Sequence, residues 1–176
     1  STIVSPGSRW AATSSTTACQ DRPYQACGAA AAPNTDGEAC LPGFEDYDED
    51  PSNGCEAEPD GLEDGTLLED RLEGTIVPRD DVDELAVAVS DHAQLLCDGT
   101  LRLTLTAPEG MTLRLEVLDG DEVLDQTTSA DGVPGSVALR EPSCFSDDAT
   151  TLTARVSPIG SDRSAAPYVL ERSGSY

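Results

Sequence analysis

Apolar and polar residues alternate with a period of two along three runs between residues 79 and 118: Leu85, Val87, Val89; Leu101, Leu103, Leu105; and Met111, Leu113, Leu115, Val117. Between them stand small or polar residues, among them Arg102, Thr104 and Thr106 in the second run and Thr112, Arg114 and Glu116 in the third. Successive side chains of a strand point to opposite faces, so each run predicts a strand with one dry and one wet face. Turn chemistry separates the runs: Asp98-Gly99 precedes the second, and Pro108-Glu109-Gly110 precedes the third. The second and third runs are close enough to predict a hairpin. With these three included, strands are predicted at Leu72–Val77, Val82–Ser90, Thr100–Thr106, Thr112–Leu118, Glu122–Thr128, Val133–Leu139, Thr150–Val156 and Tyr168–Arg172, with Asp119-Gly120 and Asp131-Gly132 at turns. No stretch has a helical period. About eight short strands with polar breaks predict an all-β, two-sheet antiparallel sandwich of jelly-roll-like form over residues 72–176.

The chain before this domain cannot build such a core. Residues 1–18 are rich in Ser, Thr and Ala, and their sizeable apolar groups are Ile3, Val4 and Trp10. Alone they predict a tail, with the Ser14–Thr17 cluster open to O-linked sugar; docked on a neighbour by strand addition they become an assembly device. Residues 19–61 form a cysteine-rich acidic segment with Cys19, Cys27, Cys40 and Cys55, and residues 62–71 read as a linker. Four cysteines allow three pairings; Cys19 with Cys27 and Cys40 with Cys55 would each close a short loop. Cys97 lies just before the third predicted strand and Cys144 just after the sixth, and a bridge between them would contribute about 3 to 4 kcal/mol by the chain-entropy argument. Within the acidic segment Asp46, Asp48 and Asp50 alternate, followed by Asn53 and Glu56. Oxygen ligands two apart on a curved loop suit calcium. The spacing is not that of an EF-hand loop, because Pro51 and Ala57 stand where that loop needs glycine and glutamate. A solvated acidic turn at Asn53-Gly54 is the alternative.

Charge narrows the partners. The chain has 34 Asp and Glu against 10 basic residues, all arginine, for a formal charge of -24. Nucleic acid and anionic membrane surfaces are thereby disfavoured, and self-repulsion calls for salt, divalent cations or a partner. Six cysteines with one histidine indicate disulfides and an oxidising compartment. There is no apolar run of membrane-span or signal-peptide length, and the sequence starts at Ser1, which together predict a mature secreted product.

From about residue 70 to 173 the chain resembles the bacterial pre-peptidase C-terminal domain. The resemblance rests on Gly74-Thr75-Ile76, on Asp80-Asp81-Val82-Asp83-Glu84-Leu85-Ala86-Val87, and on Leu113 through Asp121. It continues in Leu152-Thr153-Ala154-Arg155-Val156 and Pro167-Tyr168-Val169-Leu170. It departs from the family at Leu85, where an aromatic is common, at Leu152-Thr153-Ala154, and in its Cys97 and Cys144. The resemblance implies a sandwich appended to exported proteins, with binding or secretion roles and no chemistry of its own. It also implies calcium near Asp80, Asp81 and Asp83, against which stands the ordinary use of Asp in a turn. Separately, the stretch from Cys40 to Glu56 resembles a short cysteine-bounded repeat of secreted bacterial proteins.

Catalysis has little to draw on in this sequence. The one histidine, His92, follows Asp91 in a loop, with no activated-serine motif to complete a triad. One Trp, four Tyr and two Phe are too few to line a sugar cleft. The expectation is a non-catalytic, secreted or cell-surface structural protein, a filament-like assembly subunit that associates with itself or with other surface proteins through Ile3, Val4 and Trp10. The alternative is a calcium- or carbohydrate-binding accessory module of a secreted hydrolase.

Overall fold

The computed structural model describes residues 40, 43–47, 55–89, 99–140 and 149–174. Among these the structure is all-β, with nine strands: β1 (Thr66–Leu67), β2 (Arg71–Gly74), β3 (Asp83–Val89), β4 (Thr100–Thr106), β5 (Thr112–Asp119), β6 (Glu122–Ala130), β7 (Gly135–Arg140), β8 (Thr150–Pro158) and β9 (Tyr168–Ser173). They form two sheets, one of order β1-β3-β8-β5-β6 and one of order β2-β9-β4-β7. Every pairing is antiparallel except that of β1 with β3. No helix among the described residues is long and apolar enough to cross a membrane.

The alternating residues fill the space between the sheets. Leu85, Val87, Val89, Leu101, Leu103, Leu105, Met111, Leu113, Leu115 and Val117 are all buried, joined by Leu152, Ala154, Val156 and Leu170. Their removal from water is the main stabilising term, roughly 1.5 to 3 kcal/mol for each large aliphatic side chain. The intervening residues face outward and pair across strands. Arg155 of β8 lies opposite both Glu84 and Glu116 in register, with its guanidinium 2.7 Å from Glu84 and 3.7 Å from Glu116.

Three local expectations change. The second and third apolar runs do not form a hairpin: β4 lies in one sheet and β5 in the other, and the chain crosses between them at 107–111. Both runs turn their dry faces into one interior, which a crossing satisfies as well as a hairpin does. Residues 62–71 do more than link. They carry β1, and Leu68, whose amide donates to the Ala86 carbonyl, is fully buried in the core. The abundance of Asp, Glu and Gly around it hid this short strand. The first predicted strand ends early, at Gly74, while Ile76 and Val77 remain buried beyond it.

The turns expected at Asp119-Gly120 and Asp131-Gly132 are present, with positive φ at Gly120, Asp131 and Gly132. Asp131 Oδ1 accepts from the Gly110 amide, fastening this turn to the β4–β5 crossing. Next to it β7 approaches β6 so closely that a Cβ on Gly135 would collide with the Thr128 carbonyl.

Candidate functional site

Asp83 holds the inward register of β3, two residues before Leu85, and it is 94% buried, with 6% of its surface exposed. Its Oδ2 accepts a 2.7 Å hydrogen bond from the phenol of Tyr168, a residue of the opposite sheet. The bond therefore runs through the interior from one sheet to the other. Tyr168 pairs with Gly74 in register, and its ring lies over that glycine: a Cβ there would sit 2.5 Å from the phenol oxygen. Burial pushes the Asp83 carboxyl up to about 7 against the lowering effect of the Tyr168 bond, and the negative charges of Asp60, Asp81 and Asp64 add to the rise. Burial, then the Asp83 charge, raises Tyr168 in turn.

The neighbouring acids are engaged separately. Asp60 accepts from the amides of Leu62 and Thr75. Asp81 Oδ1 accepts from the Val82 amide, and burial raises its carboxyl. Asp80 is exposed. The sequence proposed Asp80, Asp81 and Asp83 as one set of calcium ligands, but the fold directs Asp83 inward to Tyr168. Among the described residues no three His, Cys, Asp or Glu side chains gather as a metal site.

A second acidic feature lies at the other end of the sequence. Cys40 and Cys55 are joined in a disulfide, one of the two short loops expected. Two residues after Cys55, Ala57 forms a bridge with Glu45, which places Asp46 and Glu56 at the base of the acidic loop. Glu56 Oε1 accepts from the Tyr47 amide at 2.8 Å. Tyr47 fastens this segment to the sandwich, since its hydroxyl donates to the Ile76 carbonyl and its ring lies 5.6 Å from the Arg79 guanidinium. Burial raises the Tyr47 phenol, and Glu45 raises it further. Of the other candidates, Asp48, Asp50, Asn53, Cys19, Cys27, Cys97, Cys144, His92, Ile3, Val4 and Trp10 lie outside the described residues.

The chain is similar to a solved pre-peptidase C-terminal domain. That domain belongs to a collagenase from Bacillus anthracis, and the match has 12% identity over 64% of this chain and 96% of that chain, with a TM-score of 0.45. No family model and no curated protein matches the chain.

Sequence reasoning missed Tyr168 and Gly74 as partners of Asp83. The signal was present in part, because extending the period of two back from Leu85 places Asp83 on the dry face. It also missed the outer edge of β6. Among the described residues this strand has a sheet partner only in β5, and its Val123 and Leu124 are 44% and 43% exposed. Val117 pairs with Asp125 and Leu118 with Val123, so Leu124 is the extra residue of a β-bulge.

Proposed function

We propose that this protein is a non-catalytic, secreted structural subunit of an extracellular or cell-surface assembly, in which residues 1–18 dock on a neighbouring subunit. The observation that carries this reading is the anchoring of Cys40. The residue that receives the amino-terminal extension is fully buried and bridged to Cys55, in a segment fastened to the sandwich through Tyr47 and Ile76. Anchoring at Cys40 fixes where the extension leaves the sandwich, and its length lets it reach a neighbouring subunit. The disulfide supports an oxidising, extracellular setting. Deleting residues 1–12 and measuring particle mass by sedimentation tests the reading: dissociation into monomers is expected, and an unchanged oligomeric state removes it.

A second reading, calcium binding by the acidic loop, is favoured by the Glu45–Ala57 bridge, which holds Asp46 and Glu56 at one base. The two readings are compatible, since a cation there would stiffen the root of the arm.

A further inference from the structure

Among the described residues, the outer edge of β6 has no strand paired to it over Glu122–Gln126. Beyond that point β7 lies against the strand, at Thr127 and Thr128 beside Gly135. An open edge presents unpaired backbone amides and carbonyls, and proteins ordinarily blunt such edges with charge, bulges or covering chain. Here the bulge at Leu124 is present, yet it leaves two apolar side chains in water rather than hiding them. Asp119, Asp121, Glu122 and Asp125 surround that pair with negative charge.

One stretch of this chain matches the edge in length, charge and residue type. Residues 1–20 contain no Asp or Glu, in a protein with 34 of them. Ser1–Ser5 is a five-residue run centred on the β-branched Thr2, Ile3 and Val4, the residue types that favour strands. Pro6 ends the run, as proline does at the limit of a paired strand, and Arg9 follows to meet the acidic β5–β6 turn. The open part of β6 is also five residues long, from Glu122 to Gln126. The 39 residues before Cys40 can span roughly 130 Å when extended, so reach does not limit where the run lands.

We propose that Ser1–Ser5 of one copy adds as a strand to the β6 edge of a second copy, with Ile3 and Val4 covering Val123 and Leu124 and Trp10 seated beside them. This rests on the assembly reading above and specifies its acceptor. The contact is heterologous, arm to edge, so repetition gives a ring or an open filament according to the angle between copies.

The test uses the full chain and the double variant Val123→Glu, Leu124→Glu, read beside the deletion of residues 1–12. Trp10 is the sole tryptophan, so its emission reports docking directly. The expected result is that the double variant dissociates with at least a tenfold weaker association and shifts Trp10 emission to the red, as solvent-exposed indole does, with an unchanged far-ultraviolet circular dichroism spectrum. Dissociation by the deletion with full assembly of the double variant would overturn β6 as acceptor and leave the assembly reading intact. A red shift in the double variant without any change of mass would place the arm on its own chain and overturn docking on a second copy. Failure of the deletion to change mass would end both proposals together.

Discussion

Asp83 shows how the pleat of a strand decides what an acid meets. An acid in the run Asp80-Asp81-Val82-Asp83 invites a cation, but the pleat sends Asp83 inward, where Tyr168 is its hydrogen-bond donor. A buried carboxyl keeps its proton to a higher pH than an exposed one, since the desolvated charge is the costly form. Because its value in the folded protein, about 7, lies above that of an unfolded chain, the folded state holds the extra proton between the two. Stability from this site is therefore complete in acid and is lost as pH rises through about 7. Urea denaturation between pH 5 and 8 is expected to show wild-type stability falling by on the order of a few kcal/mol. Asp83→Asn is expected to lack that part of the fall. The comparison between the two proteins separates this site from every other pH-dependent group; equal slopes would rule out Asp83 as the cause. Gly74 belongs to the same unit, since only glycine leaves room for the Tyr168 ring.

At the scale of strands, pairing carries information that spacing did not. β4 and β7 are antiparallel neighbours, and Thr100 is opposite Arg140. The chain leading back to Cys97 and the chain leading on to Cys144 thus leave adjacent strands at the same end of one sheet. A bridge between these cysteines would tie the β3–β4 connection to the β7–β8 connection, which belong to both sheets. Proteolysis without reduction, followed by mass spectrometry, is expected to release a Cys97–Cys144 linked peptide, together with Cys19–Cys27 and the Cys40–Cys55 pair. A Cys97 peptide joined to Cys19 or Cys27 would contradict it. On the outer face, Arg155 pairs with both Glu84 and Glu116 across β3, β8 and β5, and exposed ion pairs of this kind contribute only about 0 to 1 kcal/mol.

For the whole molecule, a formal charge of -24 makes stability depend on what screens it. Sodium chloride should raise the melting temperature through screening alone. Calcium compared at matched ionic strength separates specific binding from that effect: a further rise, reversed by chelator, is expected if Asp46 and Glu56 form the base of a cation loop. Equal curves in the two salts would remove the calcium reading. The sequence by itself determined that the apolar residues of the alternating runs are dry, that the described residues are β, and where Asp119-Gly120 and Asp131-Gly132 turn. These follow from alternation and turn chemistry, which are properties of neighbours along the backbone. Only the tertiary structure decided that β4 and β5 belong to different sheets, that Leu68 enters the core, that Asp83 meets a tyrosine 85 residues away, and that β6 stands at the edge of its sheet among the described residues. Each of those depends on which dry faces close over one another, a long-range choice to which the period of two is indifferent.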